Sequence, residues 1–354
     1  MADGMDIPYP RPLIEGPSAW KGIDLRDQPS TWVHRLSSDE IADIEAATEA
    51  TLATGKDLAA ITRDDFPLPR LSQALTAIRR DLLDGHGFIV IRGFPAGRYD
   101  IARNALTFWG IGRHLGNPVS QNTRGHLLGH VRDVGLEAAT NFRARASQST
   151  ERQLFHTDGC DVVGLMCLAT AKSGGMSSLV SSMTVYNEMA KRRPDLAARL
   201  FEPIAFDRRG EIRDGEGEWF AMPIFNDHAG LLSVSFTGRN VGSSQRHADA
   251  PRNPLEAIDL FTSIAEEPDL RLDMHLEVGD LQFVHNHTIL HDRTAYEDWP
   301  EPERKRHLLR LWIAAEGARP LSEAYLARYG SIQVGNRGGI QARDTVLKTP
   351  LAAD

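Results

Sequence analysis

The chain has 354 residues, of which 41% are hydrophobic and 25% charged, and its formal net charge is −8. Acidic and basic residues are interspersed, so the composition excludes the basic face that nucleic-acid binding requires. No stretch approaches the roughly 18 uninterrupted apolar residues of a transmembrane helix, and the N-terminus lacks the apolar segment of a secretory signal. We therefore expect a cytoplasmic globular protein that binds neither nucleic acid nor membrane.

The N-terminal part is predicted to be mostly helical. A proline-containing arm precedes a helix that begins near Ser37, because Ser37 and Glu40 match a capping box. The other elements predicted in this part are helices over 71–83 and 101–115 and a buried strand over 88–91.

From Val119 onward, short strands separated by Gly, Asn and Asp predominate. Strands are predicted over 154–158, 163–170, 178–182, 231–236, 280–285 and 307–314, and helices over 184–200 and 254–266. This pattern predicts an α+β fold, mainly β with helical decoration, built on a sandwich or jelly roll. We expect an arm and helices over 1–80, one β domain with a helical insertion over 81–328, and a loosely held polar tail over 329–354.

The two cysteines, Cys160 and Cys167, are too few to staple a fold of this size or to complete a zinc motif. We expect both to be buried as small apolar side chains.

His156 and Asp158 are candidate metal ligands. Residues i and i+2 of a strand project from the same face, so both side chains could reach one ion. With one distant histidine they would form a facial triad, which leaves about three positions of an octahedral Fe(II) open. Such a tripeptide is common, and by itself it is more often structural.

Spacing does not decide which histidine would complete the triad. His285 and His287 alternate along one predicted strand, and His291 follows that strand, where a turn could direct it back to the ion. His285, His287 and His291 all remain candidates for the third metal ligand at this point.

Two arginines lie in the strand predicted near the C-terminal end of the β region. Arg306 and Arg310 share a face with Leu308 and Trp312, and arginine is rarely buried without a partner. They either pair with nearby glutamates or lie on a solvated face, or they form a fork for the distal carboxylate of a 2-oxo dicarboxylic acid.

Taken in order, these segments resemble the taurine dioxygenase (TauD/TfdA) family. The resemblance covers most of the chain, from about residue 80 to 315, and rests on several motifs rather than one. The motifs are the segment 87–94, His156-Thr157-Asp158, Ser173-Gly174-Gly175-Met176-Ser177, the segment from Asn286 to Arg293, Pro223-Ile224-Phe225 with the following turn, and Arg306-x-x-x-Arg310.

The resemblance implies a distorted double-stranded β-helix, a jelly roll of cupin type, with Fe(II) at its open end. It selects His291 as the third ligand beside His156 and Asp158. The enzyme would need Fe(II), 2-oxoglutarate and O2, and it would release succinate and CO2. Hydroxylation is the usual outcome, with desaturation or cyclisation as alternatives.

The resemblance also assigns residues to the two organic ligands. Ser177 and Arg306 would hold the distal carboxylate of 2-oxoglutarate, and Arg310 would reach an anionic substrate or the other carboxylate of the co-substrate. Gln121 and Arg152 fall where the taurine enzymes carry a substrate-binding histidine and an asparagine. We expect both to line the substrate pocket and the substrate to be a small anionic metabolite other than taurine. The sequence leaves open whether the protein forms a homo-oligomer.

Two other functional classes deserve comparison. A zinc hydrolase could use the same His/Asp/His site, but no glutamate placed as a general base accompanies His156. A sheet-based binding protein without catalysis would leave the ordered motifs unexplained. We therefore favour the dioxygenase.

Overall fold

The structure is a computed structural model that describes residues 11–135, 148–342 and 345–352. Its helices are α1 (Gly22–Leu25), α2 (Ser38–Ala53), α3 (Ser72–Asp84), α4 (Ile101–Arg113), α5 (Ser182–Arg192), α6 (Pro194–Arg199), α7 (Gly238–Ser244), α8 (Leu255–Ala265) and α9 (Leu326–Tyr329).

The strands carry most of the region after residue 115. They are β1 (Val33–Arg35), β2 (Phe88–Arg92), β3 (Gly116–Val119), β4 (Leu128–Val131), β5 (Gln153–His156), β6 (Val162–Ala169), β7 (Ser173–Gly174), β8 (Ser177–Ser181), β9 (Ile204–Asp207), β10 (Trp219–Met222), β11 (Phe225–His228), β12 (Leu231–Val234), β13 (Arg271–Met274), β14 (Leu281–His285), β15 (Ile289–Arg293), β16 (Tyr296–Glu297) and β17 (His307–Ala315).

Local signals in the sequence account for where the helices begin and end. The capping box at the start of α2 is present, with Ser37 accepting from the backbone of Glu40 and the Glu40 side chain accepting from Ser37. The helix predicted over 184–200 is divided into α5 and α6 at Arg193, whose backbone leaves the helical region (φ −145°, ψ 74°) because Pro194 follows it.

Two sheets form the centre of the molecule. The larger has the order β1-β2-β14-β6-β17-β3, with β4 also paired to β17. The smaller has the order β13-β8-β15-β5 and is antiparallel throughout. The inner faces of the two sheets share one apolar core, which joins Val163 and Trp312 of the larger sheet to Leu179 and Ile289 of the smaller one.

Helices cover the outer face of each sheet. Alternate residues of the larger sheet, including Phe283 and Leu311, pack with α2, α3 and α4 in one cluster. Val180 and Leu290 of the smaller sheet pack with α5, α6 and α8 in another. The result is a four-layer α+β arrangement, helices–sheet–sheet–helices, and the predicted mixture of strands and helices is confirmed.

The segment after Arg328 is held more firmly than its polar composition suggests. Arg337 is 2% exposed and donates from Nε and Nη2 to Asp161 Oδ1, each at 2.8 Å. The backbone of Gly339 donates to Gly159 at 2.7 Å. Arg337 and Gly339 are therefore held on the core rather than loosely, because a buried carboxylate far earlier in the chain supplies the partner for Arg337.

The cysteines and the search for membrane-spanning helices complete the description of the fold. Cys160 and Cys167 are both free and buried, as predicted. Within the part of the chain that the structure describes, no helix is long and apolar enough to cross a membrane.

Candidate active site

Three side chains that can bind a metal meet where β5 and β15 lie side by side. His156 is the last residue of β5, and His291 lies opposite it in the middle of β15. Their imidazole rings have centroids 4.2 Å apart. Asp158 stands two residues beyond His156, where the chain has left the strand. The cross-strand pairing, rather than a turn after β14, brings His291 to the other two.

The distances suit a metal ion better than direct hydrogen bonds. His156 Nε2 lies 3.8 Å from Asp158 Oδ1, and His291 Nε2 lies 3.7 Å from Asp158 Oδ2. Both separations exceed hydrogen-bonding range. All three ligand atoms lie within 4.8 Å of one another, and no other group of three such residues does so in the described ranges. Two imidazoles and one carboxylate with open space on one side match the donor set of non-heme Fe(II).

The donors are in the protonation states that a metal needs. Burial, and then the neighbouring His156, lowers the pKa of His291 to about 3. Burial also lowers the pKa of His156. Burial acts to raise the pKa of Asp158, but Arg310 and the two imidazoles outweigh it and hold that pKa at about 2. At neutral pH the site therefore offers two neutral imidazoles and one carboxylate.

Neighbouring groups orient the ligands. Trp312 Nε1 donates to Asp158 Oδ2 at 2.9 Å, and Asn286 Oδ1 accepts from the Asp158 backbone at 2.9 Å. His156 Nδ1 lies 2.8 Å from its acceptor, the Leu154 carbonyl, so this nitrogen carries the proton and Nε2 faces the site. The sequence analysis did not identify Trp312 or Asn286 as residues that position a ligand.

The other two candidate histidines lie elsewhere. His285 Nδ1 is 3.1 Å from Thr288 Oγ1, and His287 Nε2 is 2.8 Å from Asp161 Oδ1. Both histidines are fully buried and belong to the network around Asp161 rather than to the group at His291.

An inner cavity opens beside the metal-binding group, and Ser177, Arg306 and Arg310 line it together with apolar side chains such as Leu308. Arg306 is only 6% exposed, and its Nη1 has no hydrogen-bond partner. Among the described residues, no carboxylate forms an ion pair with the Arg306 guanidinium, whose central carbon lies 5.2 Å from the centre of the Tyr296 ring. Burial lowers the pKa of Arg306. The cavity thus holds a buried cation that an anionic ligand would stabilise.

The alternation predicted for this strand is confirmed. Leu308 and Arg310 face the inner cavity, whereas Leu309, Leu311 and Ile313 pack in the outer core. Within the described residues, Arg306 forms no ion pair with a nearby glutamate, and Glu301 pairs with Arg304 instead.

Comparisons with known proteins now identify the family. The sequence matches the family "Taurine catabolism dioxygenase TauD, TfdA family" over residues 51–312. It is 32% identical to the FR-33289 synthase of Streptomyces rubellomurinus over 311 residues, covering 86% of this chain and 91% of that protein. The chain belongs to the TauD/TfdA dioxygenase family.

Other relatives extend this result. A uridine-5'-phosphate dioxygenase of an Amycolatopsis species is 27% identical, covering 66% of this chain and 86% of that protein. The solved structure of the non-heme iron oxygenase OrfP with Fe and alpha-ketoglutaric acid has 17% identity and a TM-score of 0.55, covering 79% of this chain and 93% of that one. This TauD/TfdA protein is an Fe(II)- and 2-oxoglutarate-dependent dioxygenase. The zinc hydrolase alternative finds no support.

Two further residues of the inner cavity have defined contacts in this dioxygenase. Ser177 Oγ donates to Gln282 Oε1 at 2.9 Å, and its hydroxyl can rotate to donate to an anion in the cavity instead. Arg293, which the sequence analysis did not assign, also lines the cavity, and its Nη1 donates to the Ser149 carbonyl at 3.0 Å. Burial, and then the nearby Arg306, lowers the pKa of Arg293 to about 10. Three arginines, Arg293, Arg306 and Arg310, therefore line the same small space.

Gln121 lies away from the cavities and holds Arg310 instead. Its Oε1 accepts from Arg310 Nε at 2.7 Å, and its Nε2 donates to the Arg310 carbonyl at 2.7 Å. Gln121 is 1% exposed and lines neither the inner cavity nor the cleft outside it. The expectation that Gln121 contacts the substrate was wrong, because both ends of its amide are used on Arg310 and its neighbours.

Arg310 stands between the two spaces. It lines both the inner cavity and an outer cleft, and its Nη1 is 3.9 Å from Asp158 Oδ2. Arg152 lines the same outer cleft but is paired there, with Glu266 at 2.7 Å and with Asp292 at 2.8 Å.

The outer cleft continues into a side pocket. The two share Trp312 and Arg328 in their walls, and Ile340 of the C-terminal segment lines both. Arg328 was not identified from the sequence, because it lies outside every matched motif.

Proposed function

We propose that His156, Asp158 and His291 bind the Fe(II) of this dioxygenase and that the inner cavity binds 2-oxoglutarate. One observation carries the proposal: a buried guanidinium without an ion pair, Arg306, lies in the same cavity as the His/Asp/His group. A 2-oxo dicarboxylate has one end that chelates a metal and another that needs a cation, so it satisfies both features at once.

The residues that line the inner cavity have different roles in this proposal. Arg306 and Ser177 bind the distal carboxylate, and Arg293 adds positive charge to the same space. Arg310, held by Gln121, stands where the co-substrate and the substrate meet, and it can contact a carboxylate of either. The apolar side chains of the cavity exclude water from the reacting groups.

Iron with 2-oxoglutarate and O2 supplies the oxidation of a substrate C–H bond, with release of succinate and CO2. The protein positions the substrate in the outer cleft so that one bond faces the metal-binding group. We propose hydroxylation of a small anionic molecule, with desaturation or cyclisation as alternative outcomes. Arg310 and Arg328 in the outer cleft support the anionic character, as does the name of the uridine-5'-phosphate dioxygenase relative.

We also propose that the two facing sheets form a distorted double-stranded β-helix of cupin type. The four-stranded antiparallel sheet β13-β8-β15-β5, which carries His156 and His291, supports this assignment.

The metal assignment is tested by anaerobic addition of Fe(II) and 2-oxoglutarate, whose complex has a weak visible charge-transfer band. His291→Ala should abolish the band, whereas His287→Gln, a buried histidine outside the group, should retain it in folded protein. Circular dichroism of both variants checks that they fold. A normal band in His291→Ala, or a band lost only in His287→Gln, would show that the third ligand has been assigned wrongly.

A further inference from the structure

The side pocket is built around three guanidinium groups that come from different parts of the fold. Arg208 follows β9, Arg213 lies between β9 and β10, and Arg328 lies in α9. Glu216 pairs with Arg208 at 3.1 Å and with Arg213 at 3.3 Å. The Glu216 carboxylate therefore forms ion pairs with two of the three arginines, although Glu216 itself does not line the pocket.

Arg328 has no acidic partner within the described residues. Its Nη1 donates to Ser235 Oγ, and its Nη2 donates to the Thr157 carbonyl at 3.1 Å. Both acceptors are neutral, so they fix the guanidinium in place without compensating its charge. Because Thr157 lies between His156 and Asp158, this contact also sets the cation close to the metal-binding strand.

The Nε atom of Arg208 is a buried hydrogen-bond donor. The residue is 9% exposed, its Nε has no hydrogen-bond partner, and its guanidinium lies 4.8 Å above the Phe220 ring. Burial lowers the pKa of Arg208, with Glu216 acting in the opposite direction. An unsatisfied buried donor of this kind is stabilised when an oxyanion enters.

The charges of the pocket favour an anion. Three guanidinium groups, those of Arg208, Arg213 and Arg328, stand against two carboxylates, Glu211 on the wall and Glu216 behind it, which leaves a formal charge of +1. A carboxylate group has two oxygens, which one arginine fork can occupy. A phosphate or phosphonate group presents three terminal oxygens to donors that come from three directions.

From this geometry we propose that the side pocket binds a phosphate or phosphonate group of the substrate, separately from Arg310. Trp312 lines the pocket, and its indole also donates a hydrogen bond to Asp158. The width of the Trp312 side chain therefore lies between the bound anionic group and the metal-binding group. The oxidised carbon is thus several bonds away from the phosphorus atom. This inference rests on the proposed function and names the substrate class of that same enzyme.

The test uses calorimetric titration of the anaerobic Fe(II)/2-oxoglutarate enzyme with phenylphosphonate, phenyl phosphate and benzoate. Both phosphorus compounds should bind, and benzoate should bind at least about tenfold more weakly. Arg328→Gln and Arg208→Gln should each weaken phenylphosphonate binding by about tenfold or more, because each removes a charge-assisted contact. Glu211→Gln should strengthen it, because it removes an opposing charge.

The matched control is Arg199→Gln, which removes an equal charge from an exposed position of α6 that pairs only with Glu202. It should leave phenylphosphonate binding unchanged. Equal affinity for benzoate, binding insensitive to Arg328→Gln and Arg208→Gln, or binding that requires the iron would overturn the proposal. The charge-transfer band is recorded in the same samples, so failure of the side pocket with an intact band is distinguishable from failure of the proposed function.

Discussion

Replacing Arg306 by methionine should change stability and co-substrate affinity in opposite directions. In the protein without 2-oxoglutarate, the guanidinium is 6% exposed and forms no ion pair with a described residue, so only the Tyr296 ring, 5.2 Å away, offsets its burial. Methionine fills a similar apolar volume without the charge, and replacing buried charges in this way is often neutral or stabilising. We therefore expect the free energy of unfolding of the ligand-free protein to stay the same or to rise.

Affinity for 2-oxoglutarate should fall steeply. Truncating one partner of a buried charge pair costs about 2–5 kcal/mol, which corresponds to roughly 30-fold to several thousand-fold in Kd. Because burial has already stripped water from Arg306, as the lowering of its pKa indicates, binding adds little further desolvation of the arginine. We expect a loss of about 3 kcal/mol, or roughly 100-fold, near the middle of that range.

The assay combines two measurements on the same variant. Chemical denaturation without 2-oxoglutarate gives the stability, and anaerobic titration of the charge-transfer band gives the affinity. Arg304→Met is the matched control, because Arg304 is exposed, stands two residues away, and contacts Glu301 at 3.5 Å and the Trp299 ring at 3.6 Å. If Arg306→Met destabilised the ligand-free protein by several kcal/mol and left the 2-oxoglutarate affinity intact, Arg306 would be a structural cation and the reasoning would be refuted.

Three further perturbations test the surroundings of the site. Trp312→Phe removes the hydrogen bond to Asp158, so metal affinity in a direct titration should fall about 10–100-fold, and an unchanged affinity would contradict that role. Arg337→Met leaves Asp161 without its cation and should lower the free energy of unfolding by about 3–5 kcal/mol; a loss below about 1 kcal/mol would mean that the pair contributes little. Burial depresses the pKa of His285, so below pH 6.5 the unfolded chain binds a proton that the folded chain does not, and stability is lost as the pH falls. His285→Gln should reduce that slope between pH 6 and 5 by about 1.4 kcal/mol per pH unit, and equal slopes in both proteins would exclude His285 as its source.

Features that depend on local periodicity could be predicted from the sequence. The two-residue repeat of β17 placed Leu308 and Arg310 on the cavity side and Leu309 in the outer core, because successive strand residues point to opposite faces. The capping box of α2 likewise depends on residues three apart, Ser37 and Glu40. Such features need only a short stretch of chain.

Features that depend on pairing between distant segments could not be derived from the residues alone. The strand β15 was not predicted, since His291 was expected after a turn, and only the register of β15 with β5 sets it opposite His156. The resemblance to a family, not the spacing, selected His291. The role of Gln121 was missed for the same reason: its partner Arg310 is 189 residues later in the chain.

The pair between Asp161 and Arg337 has a consequence for how the enzyme is made. The two residues are 176 positions apart, and Asp161 follows the metal-binding strand almost directly. At a synthesis rate of roughly 5–20 residues per second, a nascent chain carries Asp161 for about 10–35 s before Arg337 has been added. During that interval the carboxylate has no guanidinium to neutralise it, and the wall that Ile340 contributes to the cleft is missing. The pocket can therefore be completed only after most of the chain has been made, and a chain released before residue 337 would contain β5 and Asp161 without this support.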